Sequence, residues 1–383
     1  MNDNDKNVNK PENGDNLLKH LEDAKKNVSA PAGDIVESSV AAVVDPTDSM
    51  GHKVRTALTN NAIYVILFIL FVGIVAAEPS FLSVTNFSNI LQQSATRIIL
   101  ALGIGTILVT KGTDLSLGRQ VGLAAVVSAS LVQDINYQYR MYPNLPELNI
   151  IIPILVAMVL CMIISGINGF VIAKLRVDPF IATLGSMIIV YGLNSIYFDR
   201  PPLGATPIGS LSANFRGIAT KSVNLGFIQI PVLIIITILT IAVMWFIWNK
   251  TTFGKNVFAV GGNREAARVS GINTTVVIIT AFALAGLLYG LGGSLEVARI
   301  GSATNNTGNM YEMDAIAACI VGGLSFDGGI GKISGIVIGV LIFQVIAYGL
   351  NFIGVTPYIQ NIIKGLIIII AVAIDSRKNA VRK

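Results

Sequence analysis

Histidine is almost absent from this chain. The 383 residues hold two, His20 and His52, both within the polar first sixty. With no imidazole in the apolar body, a histidine metal site or histidine proton relay inside a membrane is excluded. Cysteine is as scarce. Cys161 and Cys319 each sit within an apolar run, so no disulfide framework is implied and both read as inert buried thiols. Charge is thin too: 13% of residues are charged, about half of what a soluble domain carries. With 53% hydrophobic residues and a mean hydropathy of +0.68, a large soluble enzyme is excluded. The net charge of +5 does not imply a nucleic-acid partner, because basic residues in such chains mark cytoplasmic loops.

What the chain has in abundance is long apolar runs. Ten of them, at about 62–77, 95–111, 117–133, 150–173, 179–198, 229–249, 275–298, 313–325, 331–353 and 357–375, approach the length a helix needs to cross a bilayer. The expected fold is all-α: a polytopic membrane protein of about ten transmembrane helices. The eighth run is short and ends in glycines, as a broken helix would. Residues 81–92, FLSVTNFSNILQ, read as a surface-lying helix before the second span. Residues 1–61 are polar and aperiodic, the pattern of a disordered cytoplasmic tail, too long and acidic for the leading region of a cleaved signal. Residues 62–376 form the transmembrane domain and 377–383 a basic cytoplasmic C-terminus.

Lysine and arginine near the run ends set the expected orientation. One set of loops carries Lys53, Arg55, Lys111, Arg119, Lys174, Arg176, Lys250, Lys255, Arg264, Arg268, Lys332, Arg377, Lys378, Arg382 and Lys383; the other carries Arg140, Arg200, Arg216, Lys221 and Arg299. The richer set is read as cytoplasmic, with both termini inside. Trp245 and Trp248 fall at the inner end of the sixth run, where an aromatic belt is expected.

Candidate chemistry is sparse. DGGIGKIS (327–334) has Phe326 and Ile333 where a P-loop needs Gly and Ser or Thr, so any ATP must be bound by another chain. Asp114, two residues before Ser116, reads as a helix cap at a structural junction. Glu296 and Arg299 have the spacing of a local ion pair. Glu312 and Asp314 suit a helix start. No carboxylate is expected mid-span against a His or Arg partner, which argues against an ion-coupled secondary transporter, the runner-up reading. No nucleophile cluster, cofactor or metal site is apparent. Asn168, Asn194, Gln344, Tyr348 and Asn351 lie in or near spans. The last three share one helix face by spacing, which suits either a sugar path or interhelical hydrogen bonding.

One polar island interrupts the apolar runs: FGKNVFAVGGNREAARVSGIN, residues 253–273. Gly261-Gly262 makes a turn. Asn263 caps a short helix with Glu265 in its first turn and Arg268 in its last, each matching the helix dipole. Gly271 stops it. Ala266, Ala267 and Ser270 offer a small face for docking.

This island resembles the cytoplasmic signature of permease subunits from ribose/galactose-type ABC importers. The resemblance extends from about residue 62 to the C-terminus, through GTDLSLGRQVGLAAVVSASL, PFIATLGSMIIVYGLNS, RIGSATNNTGNMYEMDAIAACIVGGLSFDGGIGKISG and GLNFIGVTPYIQNIIKGLIIIIAVAID. The first and third look most like the galactose/methyl-galactoside branch. The resemblance implies a homodimer in the bacterial inner membrane, importing sugar by alternating access. It implies a cytoplasmic ATPase with two fused cassettes and a periplasmic galactose-binding protein as partners. It also implies that Gly262, Asn263, Arg264, Glu265, Ala266, Ala267, Arg268, Ser270 and Gly271 form the coupling helix seated in the ATPase, and that the chain itself is not a catalyst. The tail of some fifty residues departs from the family pattern.

Overall fold

The computed structural model describes residues 62–380, apart from 203 and 225–228; the tail expected over 1–61 lies outside these. Among the described residues the regular structure is helical, save for one small hairpin. Helix α1 (Ala62–Ala77) is followed by a short 3-10 turn, α2 (Val84–Val109), α3 (Leu117–Leu131), α4 (Ile151–Lys174), α5 (Pro179–Phe198) and α6 (Ala213–Thr220). A hairpin pairs β1 (Ser222–Asn224) with β2 (Gln229–Pro231), Val223 opposite Ile230. Then come α7 (Val232–Lys250), α8 (Thr252–Gly262), α9 (Arg264–Val269), α10 (Thr274–Ile300), α11 (Tyr311–Val321), α12 (Ile333–Phe352) and α13 (Pro357–Ala380).

Six helices, α2, α4, α5, α7, α10 and α12, are long and apolar enough to cross a bilayer, and α1, α3 and α13 carry shorter apolar stretches. Each of the ten expected runs therefore has a helix. Two boundaries differ from expectation. Residues 81–92 do not form a separate surface helix: α2 starts at Val84, where Ser83 Oγ accepts from the Asn86 N–H at 3.3 Å, and runs unbroken to Val109. No proline or glycine interrupts the first half of that stretch, so nothing ends the helix. Residues 252–262, read as a strip with a diglycine turn, are helical to Gly262. Gly261 closes that helix where a Cβ would lie 1.7 Å from the Val109 carbonyl oxygen.

Helices α2 and α10 sit at the centre, and α4, α5 and α7 at the periphery with most of their apolar side chains uncovered. Helix α10 packs on α4 through Gly286 and Gly290, four residues apart. Cβ atoms at these glycines would fall 2.3 Å from the Cys161 carbonyl oxygen and 2.4 Å from the Met158 Cα. In lipid, where apolar burial offers no net drive between helices, such close backbone approach is a main source of attraction. Trp248 turns inward and donates to Thr106 Oγ1 at 3.2 Å, whereas Trp245 is exposed; only Trp245 is available to an interfacial belt.

Loops gather on two sides. On one, Gly329 N–H donates to the Val109 carbonyl at 2.9 Å, and 172–179 lie beside 260–275, including α9. On the other, Gln133 pairs with Leu211 and Ile208 with Ala303.

Candidate functional site

Helices α2 and α10 run antiparallel, with Thr96 Oγ1 donating to Glu296 at 2.7 Å and Gly103 against Tyr289. After each, the chain doubles back without helical structure and then opens a half-length helix: 110–116 leads into the 15-residue α3, and 301–310 into the 11-residue α11. Because α2 ends on the α9 side and α10 on the other, the two units are inverted copies in arrangement. Helices of 15 and 11 residues are about 22 and 16 Å long. Together they cross a membrane once, and their N-termini meet near its middle. The meeting is tight: a Cβ at Gly118 would lie 2.4 Å from the Gly308 carbonyl oxygen, and one at Gly308, whose φ is +81°, 2.4 Å from the Gly118 carbonyl. Glycine is required on both sides. Paired broken helices of opposite direction, with N-termini at the midplane, are the usual setting of transporter sites.

Around this point lie two polar groups. The first is buried. Asp114 Oδ1 accepts from the Ser116 N–H at 2.9 Å. Ser116 Oγ accepts from Gln120 at 2.8 Å and from Asn168 at 3.1 Å, and Gln120 Nε2 donates to Ser165 at 2.9 Å. The expected junction role of Asp114 and Ser116 thus has a form, an Asx-type turn that leads into α3, although neither side chain caps α3 itself. Asp114 Oδ2 and the Tyr289 hydroxyl are buried facing each other, just short of a hydrogen bond, with no other partner among the described residues. Asn168 belongs to this network. Gln120 and Ser165 were not expected; their signal, polar residues inside apolar runs, is the one that picked out Asn168.

The second group is ionic. Glu296 is fully buried. It accepts from Thr96, from Arg299 at 2.9 Å and from the Tyr311 hydroxyl at 2.8 Å, with Arg97 at 3.9 Å. Arg97 stacks over the Tyr311 ring, 3.1 Å from its centroid, and lies 4.0 Å from Asp314, which pairs with Lys364 at 3.0 Å. The Glu296–Arg299 pair stands as expected. Glu296 lies near the end of α10, the twenty-third of its 27 residues; its second arginine, Arg97 on α2, is a partner too distant in sequence for spacing to reveal.

Arg119 needs a correction as well. It is not in a loop but in the first turn of α3, near mid-depth, where it donates to Asn306 Oδ1 at 3.3 Å and Asn309 Oδ1 at 2.8 Å. Of the remaining path candidates, Asn194 is buried, 3.5 Å from the Asn305 carbonyl, with its Oδ1 unpartnered. Gln344 donates to Gln93 at 2.8 Å, the Tyr348 hydroxyl donates to Asn86 at 2.9 Å, and Asn351 is exposed. Gln344 and Tyr348 share a face of α12 against α2; Asn168 and Asn194 lie elsewhere, so the five do not form one cluster.

On the α9 side, Asn263 Oδ1 accepts from the Ala266 N–H at 3.0 Å, capping α9. Gly271 takes φ +84° and its N–H donates to the Arg268 carbonyl. Arg264, Glu265, Ala266, Arg268 and Ser270 are exposed, as is Val269 at 87%. Ala267 is buried, so the small docking face consists of Ala266 and Ser270 without it. A groove of about 1140 Å³ runs beside α9, lined by Lys111, Arg176, Asp178, Arg264 and Arg268 among others.

Comparison with known proteins turns this geometry into a family. The branched-chain amino acid transport system / permease component family matches residues 86–372. The chain belongs to that permease family. The galactose/methyl galactoside import permease protein MglC of Escherichia coli is 52% identical over 328 residues, 86% of this chain and 97% of that one. Its Haemophilus influenzae counterpart is 52% identical over 332 residues, 87% and 98% of the two chains. The ribose import permease protein RbsC of Bacillus subtilis is 38% identical over 315 residues, 82% and 92%. No solved structure matches. The match covers both broken-helix units and α9 of this permease.

Proposed function

We propose that this permease is the membrane-spanning subunit of an ATP-driven importer for galactose and methyl galactoside. The observation that carries this is the identity of 52% to galactose/methyl galactoside import permeases over nearly their whole length, against 38% to a ribose import permease. The chain is a transport subunit; ATP hydrolysis belongs to a separate partner.

The finer reading is part of the same proposal. Two copies form the pore in the bacterial inner membrane, with both termini in the cytoplasm. The basic loops around α9 support that orientation. A cytoplasmic ATPase with two fused cassettes grips α9, from Gly262 to Gly271, and a periplasmic galactose-binding protein delivers the sugar to the opposite side. An exposed, capped six-residue helix beside a groove lined with charge supports the grip. Closure of the cassettes moves α9, and the spans switch from outward-open to inward-open. A sugar path past Asn168, Asn194, Gln344, Tyr348 and Asn351 is proposed with it; the Asn194 side-chain oxygen has no hydrogen-bond partner among the described residues and Asn351 is exposed, which supports those two.

The test is Ala266→Trp. The indole adds bulk to the exposed side of α9, so the variant should insert normally and yet lose galactose uptake at least tenfold. Uptake at the unsubstituted rate, measured with labelled galactose in cells carrying the whole importer, would remove α9 from the coupling role.

A further inference from the structure

The uncovered surface of α4, α5 and α7 is apolar, with Ile163, Ile167, Ile188, Ile196 and Leu239 all more than half exposed. One patch at mid-depth breaks this pattern. Where the N-termini of α3 and α11 meet, residues 301–310 are not helical, and Asn306, Asn309 and Met310 are exposed. Arg119 is partly exposed between them, and the Tyr191 ring, 40% exposed, lies under its guanidinium at 4.4 Å from Cζ to centroid. Tyr191 is the thirteenth of the twenty residues of α5, so it too is near mid-depth.

Lipid cannot be the neighbour of this patch. Irregular backbone at membrane depth persists only where protein buries it or where it lines water, and here it is uncovered. An arginine head in hydrocarbon is costly and faces a water-filled cavity or a polar partner instead. In the single chain no protein covers it, so its neighbour is water or the second copy, and an arginine with unspent N–H groups beside two carboxamides suits water.

Its chemistry points to a ligand. Arg119 spends two N–H groups on Asn306 and Asn309 and keeps others of its five free. The two carboxamides are thereby oriented, with their NH₂ groups left as donors. One face of the Tyr191 ring lies against the guanidinium, and the part of the ring left open supplies an apolar surface. Glu312, in the first turn of α11, lies against Gly118, the residue before Arg119, so a carboxyl stands near the guanidinium and a neutral ligand suits the patch better than an anionic one. Fixed donors beside the open part of an aromatic ring match a neutral polyol, whose hydroxyls accept the hydrogen bonds and whose C–H groups pack on the ring.

We infer that Arg119, Tyr191, Asn306 and Asn309 form the mid-membrane contact site for a neutral pyranose crossing this permease. The site rests on the sugar-import reading above and gives it a location. It lies where the two inverted units meet, so their relative movement would open it first to one side and then to the other.

Asn309→Cys tests this in the assembled importer, in membranes. The native Cys161 and Cys319 are fully buried and add little background. A charged, membrane-impermeant methanethiosulfonate should modify the new thiol, and saturating galactose should slow that reaction at least fivefold. Arg119→Met should lower galactose moved per ATP hydrolysed by about tenfold, the effect of losing a hydrogen bond from a charged donor. Modification that galactose does not slow would overturn the sugar contact. A thiol that reacts with N-ethylmaleimide and not with the charged reagent would show a face covered by lipid or by the second copy, and would overturn it as well. If Asn309→Cys does not assemble, Asn306→Cys reads the same space. Galactose uptake by the unsubstituted importer is the control: its absence defeats the import reading, whereas uptake with an unprotected thiol defeats the contact site alone.

Discussion

Glu296 is enclosed by Thr96, Arg97, Arg299 and Tyr311, and its charge is what balances two arginines near it. Glu296→Gln keeps the shape and removes the charge. Breaking a buried pair in this way costs about 3–5 kcal/mol, because the partners stay charged. We expect a clear fall in the melting temperature of the detergent-solubilised chain, and a smaller fall for Glu296→Asp. At this scale the Glu296–Arg299 pair was legible, since three residues on a helix are neighbours by geometry. Arg97 was not, because it comes from a helix some two hundred positions away. The Asn263 cap was legible for the same local reason, and its hydrogen bond to the Ala266 N–H is the one the spacing implies.

Helix packing is decided by glycines as much as by apolar side chains. Gly286 and Gly290 let α10 touch α4 backbone to backbone. Gly290→Leu would drive a side chain into the Met158 backbone, and neither helix can move away without uncovering the other's contacts. The chain is expected to lose stable assembly, measured as loss of the monodisperse peak on size exclusion in mild detergent; Gly185→Leu, where no neighbour stands within 4 Å, should keep it. Span existence was legible from apolar length. Element boundaries were less so: nothing local ends α2 after the stretch read as a surface helix, and its polar residues Asn86 and Asn89 find a partner in Tyr348 of α12, which the sequence pattern does not reveal.

For the whole molecule, the sides of the membrane are the first prediction. Ser270→Cys, on the exposed face of α9, should react with an impermeant thiol reagent in inverted membrane vesicles and resist it in intact spheroplasts. The reverse result would invert the orientation and, with it, the assignment of α9 to an ATPase. Counting basic residues placed Lys111 and Arg119 in one loop; the tertiary structure separates them, keeping Lys111 at the α9 side and carrying Arg119 to mid-depth on a broken helix.

The sequence by itself determined the solvent. Few charges, no histidine in the body and ten apolar runs are properties of composition and length, and a bilayer selects on those directly. It also determined the short-range devices, the α9 cap and stop and the Glu296–Arg299 pair, because these depend on residues within one or two turns. Only the tertiary structure decided which polar residues share a space. The meeting of α3 and α11 at mid-depth, the ionic group around Glu296 and the open patch at Arg119 each join segments far apart in the chain. What brings them together is the packing of two inverted units, and side chains that look like isolated interruptions of separate spans become one site only when those units are assembled.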